Sequence, residues 1–121
     1  MEGTAPARLI ASALADHKGD EVVILDLSAL AGWTDCFIIA TATSSVHLRG
    51  LERVVLEEAS GLGLSPLRKL SRADDDEWLL VDLGDIVVHL MTERARSFYE
   101  LEKLWFQAGV ERVAPGGAPK P

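Results

Sequence analysis

Trp78–Met91 reads WLLVDLGDIVVHLM, and the way this stretch folds decides the architecture of the chain. It is almost entirely apolar, yet it carries Asp82, Asp85 and His89. Short apolar runs rich in β-branched residues read as strands, and glycine marks a break between them. WLLVD and DIVVHLM are therefore predicted as two antiparallel strands joined by a Leu83–Gly84 turn. Leu-Gly suits a turn with positive φ at its second residue better than the usual tight hairpin turns. Strand alternation puts Trp78, Leu80 and Asp82 on one face, and Leu79, Val81 and Leu83 on the other.

Two carboxylates and an imidazole invite a metal-binding or catalytic reading. Geometry opposes it. Four residues of extended chain separate His89 from Asp85, about 13 Å. One metal ion with ligand bonds of about 2 Å cannot span that distance. His89 is expected to be a hydrogen-bonded sheet histidine, and Asp82 and Asp85 to be turn and surface acids. No catalytic residue, metal site or cofactor is assigned.

On either side of this hairpin the pattern changes period. Residues 1–6 are expected to be a flexible N-terminus. Ala7–Lys18 has helical spacing of Leu9, Ile10, Ala13 and Leu14, and Gly19 is placed as its stop. EVVILDL (Glu21–Leu27) reads as a strand covered on both faces, SALAGWTD as a loop, and CFIIATAT as a second strand. Ser44 or Ser45 can cap a helix running to about Ser60. Leu48, Leu51, Val55 and Leu62 share one face of it, with Arg49, Glu52, Arg53 and Glu57 elsewhere, and Gly61 and Gly63 end it. LSPLRKL is a short strand that Pro66 confines to its start or to an edge, and SRADDDE is a loop. Thr92 can cap a last helix, ERARSFYELEKLWF, with Phe98, Leu101 and Trp105 on one face. The resulting order is α-β-β-α-β-β-β-α. It describes one α/β layer domain over residues 7–106, with a mixed five-stranded sheet flanked by helices. Residues 107–121, ending APGGAPKP, are expected to be a flexible tail.

Composition limits the function classes. The chain has 121 residues, 48% apolar and 26% charged, enough for a core without disulfides. No apolar run approaches the roughly 20 residues that span a bilayer. Asp16, His17 and Lys18 interrupt the N-terminal apolar stretch too early for a secretory signal, so a cytoplasmic location is expected. Cys36 is the only cysteine, which excludes an internal disulfide and a cysteine zinc cage. The net charge of −7 is concentrated: Asp74 to Trp105 holds nine acids and three bases. Such a segment attracts a basic partner and repels phosphates, so little direct nucleic-acid contact is expected.

TATSS (Thr41–Ser45) lies between a strand and a helix, where a phosphate could sit. It lacks the glycine and lysine of a phosphate loop, so a helix cap is the better account. Ser44, Ser45 and His47 are too close in sequence for a triad, and nothing marks Cys36 as a nucleophile. Trp78, Tyr99, Trp105 and Phe106 gather near the acids. Aromatics with flanking acids suit an interface centre and rim, and also suit a core. For Trp78 and Tyr99 both readings stay open.

WLLVDLGDIVVHLMTERARSFYELEKLW resembles the signature run of the Iojap-related ribosomal silencing factor family: Trp, apolar strand, Asp-x-Gly-Asp, apolar strand with His, then Phe-Tyr-x-Leu-Glu-x-Leu-Trp. TDCFIIATATSS, and GLSPL after its helix, extend the similarity, which spans about Ala7 to Trp105. The resemblance implies a nucleotidyltransferase-like fold without enzymatic activity. It implies a translational repressor that binds the large ribosomal subunit through its universal protein number fourteen and keeps the small subunit away when nutrients are scarce. Matched position by position, it implies a partner-binding set of Trp78, Asp82, Leu83, Gly84, Asp85, Tyr99, Leu101 and Glu102. Trp78, Leu83 and Tyr99 would be apolar anchors, and the acids would steer. The chain departs from the family pattern in TATSS. Ala42 stands where glycine is common, and Val46 where a basic residue is frequent. Two other classes of function are weighed beside this one: a nucleotide-handling enzyme on the same kind of fold, and an assembly factor whose acidic segment forms a homodimer.

Overall fold

The structure, a computed structural model, describes residues 5–29, 34–70, 77–99, 103 and 109–117, with the side chains at 68–70, 98, 99 and 117 left undescribed. The chain order is α1 (Ala5–Asp16), β1 (Asp20–Asp26), β2 (Cys36–Ala42), α2 (Ser45–Gly61), β3 (Arg68–Leu70), β4 (Trp78–Asp82), β5 (Ile86–Thr92), α3 (Glu93–Tyr99) and β6 (Gly109–Arg112), followed by a 3-10 turn at Pro115–Gly117. The sheet is mixed, with strand order β3-β4-β5-β2-β1-β6. Among the described strands every pairing is antiparallel except β2 with β5.

The mixed α/β architecture is the one expected from the sequence, with a sixth strand added. β6 lies inside the segment expected to be a flexible tail, and that expectation is corrected. β6 pairs with β1, from Val23↔Arg112 to Asp26↔Gly109. Glu111 also meets Arg8 at 2.6 Å, and Arg112 meets Glu21 at 3.6 Å. GVER has little strand character of its own, so its conformation comes from this pairing. The last helix is described only as Glu93–Tyr99, and its expected continuation to Phe106 falls outside the described residues.

Helix ends follow local chemistry. Ser44 sits in extended conformation and its hydroxyl accepts from His47 N at 3.1 Å, capping α2. The His47 ring then latches two elements: Nδ1 accepts from Thr43 N at 3.0 Å, and Nε2 meets the His17 carbonyl at 3.0 Å. α2 ends in a Schellman turn at Gly63, φ +76, with Leu64 N donating to Ala59 O at 2.8 Å. α1 ends likewise, but the left-handed residue is Lys18, φ 68, and not Gly19. Gly19 is required for another reason: a Cβ there would lie 2.8 Å from the Leu14 carbonyl oxygen.

Two cores result. α1 and α2 cover one face of the sheet, where Ile10, Leu14, Leu48, Leu51 and Val55 meet Ile38, Leu79, Val81, Leu83, Val88 and Leu90. Glu52, expected off the apolar face of α2, is only 8% exposed. Each large apolar side chain sealed here contributes roughly 1.5–3 kcal/mol. The opposite face holds Val23, Leu25, Phe37, Ile39, Val87 and Met91 with Ala95 of α3, and Trp78 and Leu80 are only partly buried against it.

Candidate functional site

β4 and β5 form the predicted hairpin, with Trp78↔Met91, Leu80↔His89 and Asp82↔Val87 opposite one another. The turn differs by one residue from the sequence expectation. Leu83 N donates to Ile86 O at 2.8 Å, so Gly84 and Asp85 are its two central residues. Gly84 has φ +92, at the first central position, where a tight hairpin turn accepts glycine. The Asp82 carboxylate accepts from Gly84 N at 2.9 Å and closes the turn from within.

The tip is also held from outside. The Asp85 carbonyl accepts from Asp35 N at 3.0 Å, Cys36 N at 3.1 Å and the Thr34 hydroxyl at 3.1 Å. Asp35 and Asp85 are exposed beside each other. Burial first, and then the fields of Asp35, Asp26 and Asp85, push the Cys36 thiol up to about 12. Cys36 is therefore a protonated core residue and no nucleophile. Asp26 is held below the usual carboxylate range by the hydroxyl and backbone N–H of Ser28.

At the other end of the hairpin the Trp78 indole N–H donates to His89 Nδ1 at 3.2 Å. The two rings lie 5.8 Å apart, and Phe37 meets the imidazole edge-on at 4.5 Å. His89 is 4% exposed, and burial lowers its pKa from 6.5 to about 4. It is thus a neutral, hydrogen-bonded sheet histidine. Its Nε2 is buried without a hydrogen-bond partner among the described residues. Thr92 follows as the α3 cap, accepting from Ala95 N at 3.3 Å and donating to Glu77 at 3.3 Å. Arg96 reaches from α3 to the Thr41 hydroxyl at 2.9 Å and to the Glu21 carbonyl, tying this helix to the sheet.

The residues singled out from sequence therefore fall into two groups. Asp82, Gly84 and Asp85 meet at the tip, and Trp78 stands at the far end with His89, roughly 13 Å of strand away. Tyr99 lies on α3, with its side chain outside the described atoms, and Leu101 and Glu102 are outside the described residues. Leu83 is corrected as an apolar anchor: it is 7% exposed, because strand alternation turns it into the core under α1 and α2. Asp82, Asp85 and His89 are not drawn into one centre, since the first closes the turn, the second faces solvent and the third is bonded to Trp78. No group of metal-ligating side chains occurs among the described residues, and no described helix is long and apolar enough to cross a membrane. Sequence reading passed over Thr34 and Asp35. Their only sequence signal is a Thr-Asp pair ahead of a strand, and their role appears only when β2 lies parallel to β5.

Comparison with known proteins agrees with this architecture. The model of the family "Ribosomal silencing factor during starvation" matches residues 2–119. The Ribosomal silencing factor RsfS of Treponema pallidum is 36% identical over 113 residues, covering 93% of this chain and all of that one. The mouse protein named "Mitochondrial assembly of ribosomal large subunit protein 1" is 32% identical over 99 residues, 80% of this chain and 43% of that one. The crystal structure of a Chromobacterium violaceum protein superposes with a TM-score of 0.80 at 33% identity, covering 88% of each chain. By sequence and by fold, the chain belongs to the ribosomal silencing factor family.

Proposed function

We propose that the protein represses translation by docking on the large ribosomal subunit, through its universal protein number fourteen, and keeping the small subunit from joining. The observation that carries this reading is the hairpin tip, which is acidic, exposed at Asp85 and Asp35, and fixed by hydrogen bonds on both sides. A rigid acidic surface meets a basic protein with little ordering cost. Asp82, Gly84 and Asp85 form this end of the dock. Trp78, which is half-buried, continues it toward α3, and the family resemblance adds Tyr99, Leu101 and Glu102 to the partner-binding set. Leu83 supports the turn from inside the core. The mouse relative's name, which speaks of assembling the ribosomal large subunit, supports the choice of subunit.

The mechanism is occupancy and not catalysis. A dock of ordinary size, about 1,200–2,000 Å² in total, holds the protein in space the small subunit needs. The protein acts in the cytoplasm, and any homodimer forms off the ribosome. Sucrose gradients of purified subunits test this. Saturating protein is expected to leave large and small subunits as separate peaks; unchanged formation of whole ribosomes would remove the mechanism.

A further inference from the structure

With Leu83 buried, the hairpin tip lacks the apolar anchor that a protein interface normally places inside its charged rim. The large hydrophobic side chains exposed among the described residues are Leu9, Val46, Leu67 and Val110. Only Leu67 stands at the tip. It is 73% exposed, follows Pro66, and donates its backbone N–H to the Asp82 carbonyl at 2.8 Å. A Cβ added at Gly84 would lie 3.5 Å from Leu67 Cδ1, so the leucine side chain rests against the turn. The Asp82 carboxylate closes that same turn, and Asp85 is its exposed second residue.

A single exposed leucine on a protein surface needs no explanation. This one differs in its setting. Its backbone is pinned to the hairpin, the hairpin is pinned to β2, and the exposed carboxylates of Asp85 and Asp35 flank the turn. An apolar knob on a rigid support, with acids around it, loses little side-chain or loop entropy on binding. It fits a basic protein surface with a small apolar socket.

We propose that Leu67 is an apolar anchor of the docking surface, seated in such a socket while Asp35, Asp82 and Asp85 face its basic rim. This rests on the large-subunit reading above and adds to it a contact made from β3's side of the hairpin.

The test is co-sedimentation of the full chain with purified large subunits at fixed salt, beside thermal melts of each variant. Leu67→Ala is expected to weaken binding about tenfold with Tm unchanged, and Leu67→Met to bind nearly as the native chain does. Asp85→Lys is the comparator for the acidic tip. If Leu67→Ala binds normally while Asp85→Lys loses binding, Leu67 is no anchor and the large-subunit reading stands. Absence of binding by the native chain would overturn the reading and the anchor together. A fall in Tm for Leu67→Ala that accounts for its lost binding would also overturn the anchor, because the residue would then be structural.

Discussion

β4 presents two faces built from similar apolar residues in different surroundings. Toward α1 and α2 stand Leu79 and Val81, with Leu83 just beyond the strand, at 1%, 0% and 7% exposure. On the other side Trp78, Leu80 and Asp82 are all half-buried, and two of the three hold polar partners. The sealed face holds the fold together. The half-open face keeps a histidine beneath a tryptophan and a carboxylate inside a turn, groups that a core designed only for stability would omit. The difference teaches that an apolar strand can carry both tasks when alternation separates them.

Substitution on each side tests this division most strongly. Leu79→Ala is expected to cost about 3 kcal/mol, through lost burial and the cavity left behind. Leu80→Ala on the opposite face is expected to cost about 1 kcal/mol, since less surface is sealed there. Urea unfolding of both variants decides, and equal losses would erase the contrast.

Acid separates the faces next. His89 titrates near 4 in the folded chain against 6.5 when unfolded. Between those values the unfolded chain binds the extra proton, so stability falls as pH falls. The contribution is full above about 6.5 and lost by about 4, roughly 3 kcal/mol in all. His89→Gln is expected to flatten that part of a stability–pH curve measured by chemical unfolding. An unchanged slope would show that other groups govern acid sensitivity.

A smaller effect follows from the indole. Trp78→Phe keeps the ring but removes the donor to His89 Nδ1, and is expected to cost about 1 kcal/mol. Smallest is Asp85→Asn, within about 0.5 kcal/mol of the native stability, because the folded chain uses its carbonyl and not its carboxylate. Its effect is expected in large-subunit binding instead, measured as a slower association at low salt.

Much of this was legible in the residues. Apolar periodicity located α1, α2, β1, β2, β4 and β5, and the serine pair narrowed the α2 cap to Ser44 or Ser45, of which the structure uses Ser44. The turn was legible only to within one residue. Leu-Gly and Gly-Asp are both acceptable turn pairs, and the choice between them is made by cross-strand register, in which Leu79 must face Leu90. β6 was invisible, because four residues of modest strand propensity are held by pairing with β1 and by ion pairs to Arg8 and Glu21, far away in sequence. The opposite burial of Leu83 and Leu67 was illegible for a similar reason. Both are leucines beside turn residues, and only packing under α2 or its absence distinguishes core from knob.

The amino-acid sequence alone determined most of the helices and strands, the acidic concentration and the alternation that gives the hairpin its two faces, since these depend on neighbours a few residues apart. The tertiary structure alone decided that β2 runs parallel to β5, that Thr34 and Asp35 grip the Asp85 carbonyl, and that Trp78 bonds to His89. Those contacts join residues from different elements, and they form only when the whole sheet buries its two apolar faces at once.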